Sequence, residues 1–258
     1  MLKILLLERR YFDVAIGLLE NRETAEVASI ESVIDFYNDK QTQFLLEQFL
    51  IQVKTFFELN PTLNAQPVPM VHSIKARLKD PIHLQDKLER KASSGIVISA
   101  ATLFKEVTDL AGIRVLHLYQ DQFTGIHSEI MKKIEDGDWA LGELPKAYTW
   151  DPETKSYFEK LEITTEVRDS YYTSVHYLVK PNNSSELCCE IQVRTLFEEI
   201  WGEIDHAINY PHPTNSVACR EQLRVLSKLV STGTRLSDSI FRSYSEHLES
   251  VKNKTQMN

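Results

Sequence analysis

The stretches SVHYLVK (residues 174–180) and CCEIQVRT (188–195) decide the reading of the fold. In both, apolar and β-branched residues alternate with polar ones, the period expected of strands whose side chains point to opposite faces of a sheet. A third such run, LEITTEVR (161–168), precedes them, and strands arriving in succession argue for antiparallel pairing. Glu190, Gln192 and Arg194 then project from one face. Ser174 and His176 alternate in the same way on the preceding strand and can pair across to that face. Five polar groups on one surface make a candidate site. An ordinary amphipathic strand with a wet face would read the same way.

Working outward, GIRVLHLY (112–119) is short, apolar and β-branched, and reads as a buried strand. A basic helical segment is expected over 71–92 and a helix near 121–135, followed by a loop rich in Gly, Pro and Trp. LFEEIWGEIDHAIN (196–209) has helical spacing in Ile200, Trp201 and Ile204, and ends at Tyr210-Pro211, where proline forbids continuation. Residues 217–250 read as helical throughout, with Leu223, Leu226, Leu229 and Val230 on one stripe and Leu236, Ile240 and Phe241 on another. Residues 1–60 read as two or three helices, and NPTLNAQPVP (60–69) carries three of the nine prolines and marks a boundary. The expectation is an α+β protein with a mixed, largely antiparallel central sheet flanked by helices. Its parts are a helical N-terminal extension (1–65), a central α+β domain (66–215) and C-terminal helices (216–258).

The 258 residues are 42% hydrophobic and 26% charged with only 8 Gly and 9 Pro, which excludes collagen-like, low-complexity and disordered classes. Lys and Arg number 29 against 37 Asp and Glu, a net charge of −8, so the average surface repels phosphate. A polyanion would need a local basic pocket. The apolar run at residues 4–7 is too short for a signal peptide. The stretch 95–104 falls well short of the ~20 apolar residues needed to cross a bilayer. Cys188 and Cys189 are adjacent and Cys219 stands apart, giving neither a disulfide framework nor a C-x-x-C metal site. A soluble cytoplasmic protein with reduced thiols is expected.

Four segments can carry chemistry. KARLKDPIHLQDKLERK (75–91) holds six basic residues against three acidic ones, and Arg77, Lys79, Lys87 and Arg90 could hold a triphosphate. A solvated amphipathic helix is the alternative. Asp109, just before the 112–119 strand, could hold Mg²⁺ or cap a turn. Arg114, charged inside an apolar strand, needs a partner or a ligand. The third segment is 188–195. In the fourth, Glu199, Glu203 and His206 share one helix face, but H-E-x-x-H is absent, which argues against a zinc hydrolase. No phosphate-binding P-loop, G-x-G-x-x-G or G-x-S-x-G motif occurs.

In this order the segments resemble the synthetase domain of the RelA/SpoT family, the makers of the alarmone (p)ppGpp, over roughly residues 70–245. The family's R-x-K and K-x-x-R patterns are matched by Arg77, Lys79, Lys87 and Arg90, and its D-hydrophobic-x-G-x-R strand by Asp109, Leu110, Gly112 and Arg114. Its Y-x-S-hydrophobic-H motif is Tyr172, Ser174, Val175 and His176, and its E-hydrophobic-Q-hydrophobic-R-T signature spans residues 190–195. The helix that follows is matched by Trp201 and His206. The resemblance implies a nucleotidyltransferase-like fold and Mg²⁺-dependent transfer of the β,γ-pyrophosphate of ATP to the ribose 3′-hydroxyl of GDP or GTP, releasing AMP. It implies that Arg77 and Arg114 sandwich the adenine, and that Lys79, Lys87 and Arg90 hold the ATP phosphates. It gives Asp109 and Glu190 to Mg²⁺, Glu190 also to proton abstraction, Tyr172 to stacking on the acceptor base, and His176 and Gln192 to the acceptor phosphate or ribose. The acceptor loop departs from the family pattern: Arg168 stands where the family has a lysine, and Tyr171 where it has glycine. Loops like YTSVHY resemble a branch of toxic synthetases, which makes a tRNA 3′ end or an adenosine nucleotide the alternative acceptor; the charge of −8 disfavours tRNA. An inactive nucleotide-binding homologue is a third reading, disfavoured by retention of both carboxylates. Residues 1–60 are too few for the family's hydrolase domain, so no hydrolase activity is expected. Self-association through the C-terminal helices is also implied.

Overall fold

A computed structural model of the protein describes residues 29–210 and 212–256. Any helix expected within residues 1–28 lies outside the described residues. Helices α1 (Ile30–Asn38) and α2 (Lys40–Leu59) are capped by Ser29 and Asp39, whose side chains accept from backbone N–H groups of the first turn. Their buried faces, including Val33, Tyr37, Phe49, Val53 and Phe57, join the same hydrophobic core as the sheet. The N-terminal helices seen here thus share the hydrophobic core of the sheet.

Residues 71–80 do not begin a helix. They contain β1 (Ser73–Leu78), paired antiparallel with β2 (Ala111–His117). Helix α3 (Pro81–Ser93) starts only at Pro81 because proline pushes the preceding residue into extended backbone, and Asp80 at that position caps the helix. A short helix α4 (Leu103–Glu106) precedes β2, and α5 (Gln122–Glu135) follows it.

The region expected as a loop after α5 is instead a ten-residue strand, β3 (Ala140–Thr149). Its pairing with β5 (Ser174–Lys180) shifts register on either side of Glu143, and such irregularities accommodate Gly142 and Pro145 within a strand. Helix α6 (Pro152–Lys160) and β4 (Thr164–Val167) come between these two strands. After β6 (Cys189–Thr195), the Thr195/Glu198 capping box starts α7 (Leu196–Asn209). The C-terminal region is one continuous helix of 40 residues, α8 (Val217–Gln256), rather than several.

The sheet runs β1-β2-β6-β5-β3-β4. Three neighbouring pairs are antiparallel, while β2/β6 and β3/β4 are parallel, so the sheet is mixed and largely antiparallel as expected. The parallel β2/β6 pair fixes the site: Gly112 lies opposite Glu190 and Arg114 opposite Gln192, so the segments leading into both strands sit at one end of the sheet. No described helix is long and apolar enough to cross a membrane.

Candidate active site

One row of polar residues crosses five strands. Lys75 pairs with Arg114, Arg114 with Gln192, Gln192 with His176, and His176 with Lys146. Paired residues share a sheet face, so all five side chains emerge on one side. The candidate cations and carboxylates lie along this row and at the end of the sheet beside it, where β1 ends and β2 and β6 begin, with Lys87 and Arg90 on α3.

At the β2 end, Asp109 occupies the turn before the strand. Its two carboxylate oxygens accept from Lys79 Nζ at 2.7 Å and Lys87 Nζ at 2.8 Å. Burial pushes the Asp109 carboxyl up, but Lys87 and Lys79 outweigh it and hold the group below the usual carboxylate range. Arg77 and Arg90 are exposed on β1 and α3, and Arg90 donates to the backbone oxygen of Asp86.

At the β6 end, Glu190 Oε2 accepts from Gln192 Nε2 at 2.7 Å and Oε1 lies 3.2 Å from His176 Nδ1. Burial pushes the Glu190 carboxyl up and Asp109 adds to that, yet the hydrogen bonds from His176 and Gln192 hold it below its ordinary value. A carboxylate can only accept, so His176 donates from Nδ1, and its Nε2 is hydrogen-bonded to the Tyr172 hydroxyl 2.9 Å away. The result is a chain of three groups ending on a deprotonated carboxylate.

Arg114 has the partners its position demanded: its NH1 donates to Glu199 at 3.2 Å and to Glu203. Those two glutamates therefore face an arginine, and His206 stacks on Tyr210 with ring centres 4.5 Å apart. Arg194, expected on the open face with Glu190 and Gln192, is buried beneath α7 against Glu199. Helix α7 covers that end of the face, and strand alternation cannot show what packs above it. Arg168 lies over the Tyr148 ring, 4.4 Å from its centre, and pairs with Glu166 at 3.1 Å.

Lys146 and Tyr148 belong to the site but escaped the sequence reading. Tyr148 packs edge-on against His176 at 4.9 Å. The signal was present in PKAYT, where half-exposed Lys146 and Tyr148 alternate with buried Ala147 and Thr149, but nearby Gly and Pro masked it. A cavity of about 380 Å³, open to solvent, lies elsewhere, between α8 and the loops bearing Asp151 and Tyr171. Burial raises the Cys188 thiol to about 12, which leaves it inert as a nucleophile.

The model of a region found in RelA / SpoT proteins matches residues 76–215, more than half of the chain. The chain belongs to the RelA/SpoT family. None of the curated proteins matches this RelA/SpoT member. Among solved structures it is similar to a GTP pyrophosphokinase family protein from Streptococcus pneumoniae, at 18% identity over 84% of this chain and 95% of that one, with a TM-score of 0.60. It is also similar to the small alarmone synthetase 1 from Bacillus subtilis bound to its product pppGpp, at 19% identity over 79% and 93% of the two chains, with a TM-score of 0.54. The same synthetase bound to AMPCPP aligns at 17% identity over 79% and 94%, with a TM-score of 0.53. At these identities the solved structures establish the fold, and the family match makes the chain a GTP pyrophosphokinase-like enzyme.

Proposed function

We propose that the protein transfers the β,γ-pyrophosphate of ATP to the ribose 3′-hydroxyl of GDP or GTP. The observation that carries this reading is the placement of Asp109 and Glu190 at one end of the parallel β2/β6 pair, with lysines gathered at the first and a His–Tyr relay at the second. Solved relatives of the same fold bound to pppGpp and AMPCPP support a nucleotide acceptor and an ATP donor.

Lys79, Lys87 and Arg90 would take the donor phosphates, and Arg77 and Arg114 the adenine. Tyr172 and Arg168 would contact the acceptor base, with His176 and Gln192 on its ribose or phosphate. Glu190 would accept the 3′-hydroxyl proton as the O3′–Pβ bond forms and the Pα–O–Pβ bridge breaks, releasing AMP. Such transfers are catalysed mainly by positioning and charge neutralisation, which suits a site of fixed cations around two carboxylates.

The donor set also fits Mg²⁺. Among the described residues no third His, Cys, Asp or Glu joins the two carboxylates in a metal-sized cluster, and Mg²⁺ prefers one or two carboxylates with water and phosphate oxygens in its other positions. Asp109 and Glu190 would hold it, and it would neutralise charge on the transferred phosphates; Lys79 and Lys87 would then turn from Asp109 to the triphosphate.

Incubation with γ-labelled ATP, Mg²⁺ and separately GDP, GTP, ADP or bulk tRNA tests the proposal. Label is expected in GDP or GTP; label in no acceptor overturns the enzyme reading, and label only in tRNA or ADP replaces the acceptor. Glu190→Gln should reduce kcat by more than about 10²-fold with ATP binding little changed, and retained turnover would remove its role. Self-association is supported by Val225, Leu229, Leu236 and Ile240, which stand exposed along one side of α8; Leu229→Glu with Leu236→Glu should yield a smaller species in sedimentation.

A further inference from the structure

Cations from three strands converge on one buried carboxylate of α7. Glu199, 4% exposed, accepts from Lys75 Nζ of β1 at 2.7 Å and Arg114 NH1 of β2 at 3.2 Å, and it forms an ion pair with Arg194 NH2 of β6. The two guanidiniums lead to opposite ends of the site. Arg114 belongs to the donor side. Arg194 is also 4% exposed and sits 5.6 Å from the centre of the Tyr172 ring, so any effect it has on an acceptor passes through Tyr172. Gly202, one turn after Glu199, leaves space for that guanidinium: a Cβ there would lie 2.9 Å from Arg194 NH1.

A buried Arg–Glu pair is weak ground for stability, because desolvation cancels much of the attraction and apolar residues of equal size often serve as well. It does restrict where a guanidinium can sit. We propose that Glu199 is a positioning residue shared by both substrate subsites: through Arg114 it sets the donor's stacking surface, and through Arg194 it holds the Tyr172 ring for the acceptor. The inference rests on the assignment of Arg114 to ATP and Tyr172 to the acceptor made above.

The test measures equilibrium binding of a non-hydrolysable ATP analogue and of GDP to the full chain, together with KM for each and the thermal midpoint. Glu199→Gln keeps the shape and removes the charge; it should weaken both nucleotides about tenfold, with Glu199→Asp recovering part of the loss. Glu203→Gln should weaken the ATP analogue alone. Arg194→Lys and Gly202→Ala should weaken GDP alone. The alanine variant is the most discriminating because it raises helix propensity: the thermal midpoint should hold or rise while GDP binding falls, a split that a merely structural role would not give. Glu199→Gln affecting only one nucleotide, or Gly202→Ala leaving GDP binding intact, overturns the proposal. If Glu199→Gln does not fold, the Gly202→Ala and Arg194→Lys constants decide. Wild-type protein that binds both nucleotides and transfers no label would refute the transferase reading and leave this one to the same binding constants; binding of neither would refute both.

Discussion

Asp109 and Glu199 each gather several cations, but the chemistry around them differs. Asp109 is met by two lysine ammoniums on flexible stems, and its side chain is 29% exposed. Glu199 is met by two arginines and one lysine, and its side chain is 6% exposed. In both, burial pushes the carboxyl up and the cations pull it lower than an ordinary carboxylate. An ammonium is a mobile point charge that can leave one anion for another, whereas a guanidinium packed against a buried carboxylate is confined. The first cluster suits exchange with a triphosphate; the second suits a frame.

The largest effect should come from breaking the exchangeable cluster. Asp109→Asn leaves Lys79 and Lys87 without their counter-charge and removes a proposed Mg²⁺ ligand; single-turnover rates should fall by about 10²–10³-fold. Another buried carboxylate, Asp151, supplies the purely structural contrast. It accepts from Arg235 NH1 at 2.8 Å and from Ser231, tying α8 to the loop before α6. Arg235→Ala should cost about 2 kcal/mol of stability in denaturant titration and leave both KM values unmoved.

A smaller effect should come from salt. Near 1 M the screening length falls to about 3 Å, so the partly exposed lysine cluster should weaken and the ATP KM should rise several-fold more than the GDP KM. An effect on stability alone, with no change in activity, should come from Glu198, which burial raises from 4.5 to about 7. Between those values the unfolded chain releases a proton that the folded chain keeps, so stability falls as pH rises through the window and levels off above it. Glu198→Gln removes that loss and still permits the capping box; its gain in thermal midpoint should be larger at about pH 8 than at about pH 5.

Strand alternation in 174–180 and 188–195 was enough to place His176, Glu190 and Gln192 together, because a two-residue period fixes the face without knowledge of the partner. The same logic misplaced Arg194: alternation names the face but not what covers it, and α7 covers that end. The basic run at 75–91 read as one helix because charge has no period, whereas Pro81 divides it into a strand and a helix. β3 was hidden because its glycine and proline are absorbed by register shifts that only the partner strand reveals. The Asp109 and Glu199 clusters each join segments distant in sequence, and spacing along the chain could pair neither with its cations.

The order of the strands in the sheet differs from the order in which they are synthesised. β6 is the last strand made, yet it lies between β2 and β5. Until it emerges from the ribosome, β1 and β2 form one fragment and β3, β4 and β5 another, each with an unpaired edge open to wrong partners. The same strand brings Glu190. Closing the sheet and acquiring the proposed base are therefore one event, and a nascent chain with Arg77, Lys79 and Lys87 already made still lacks that base.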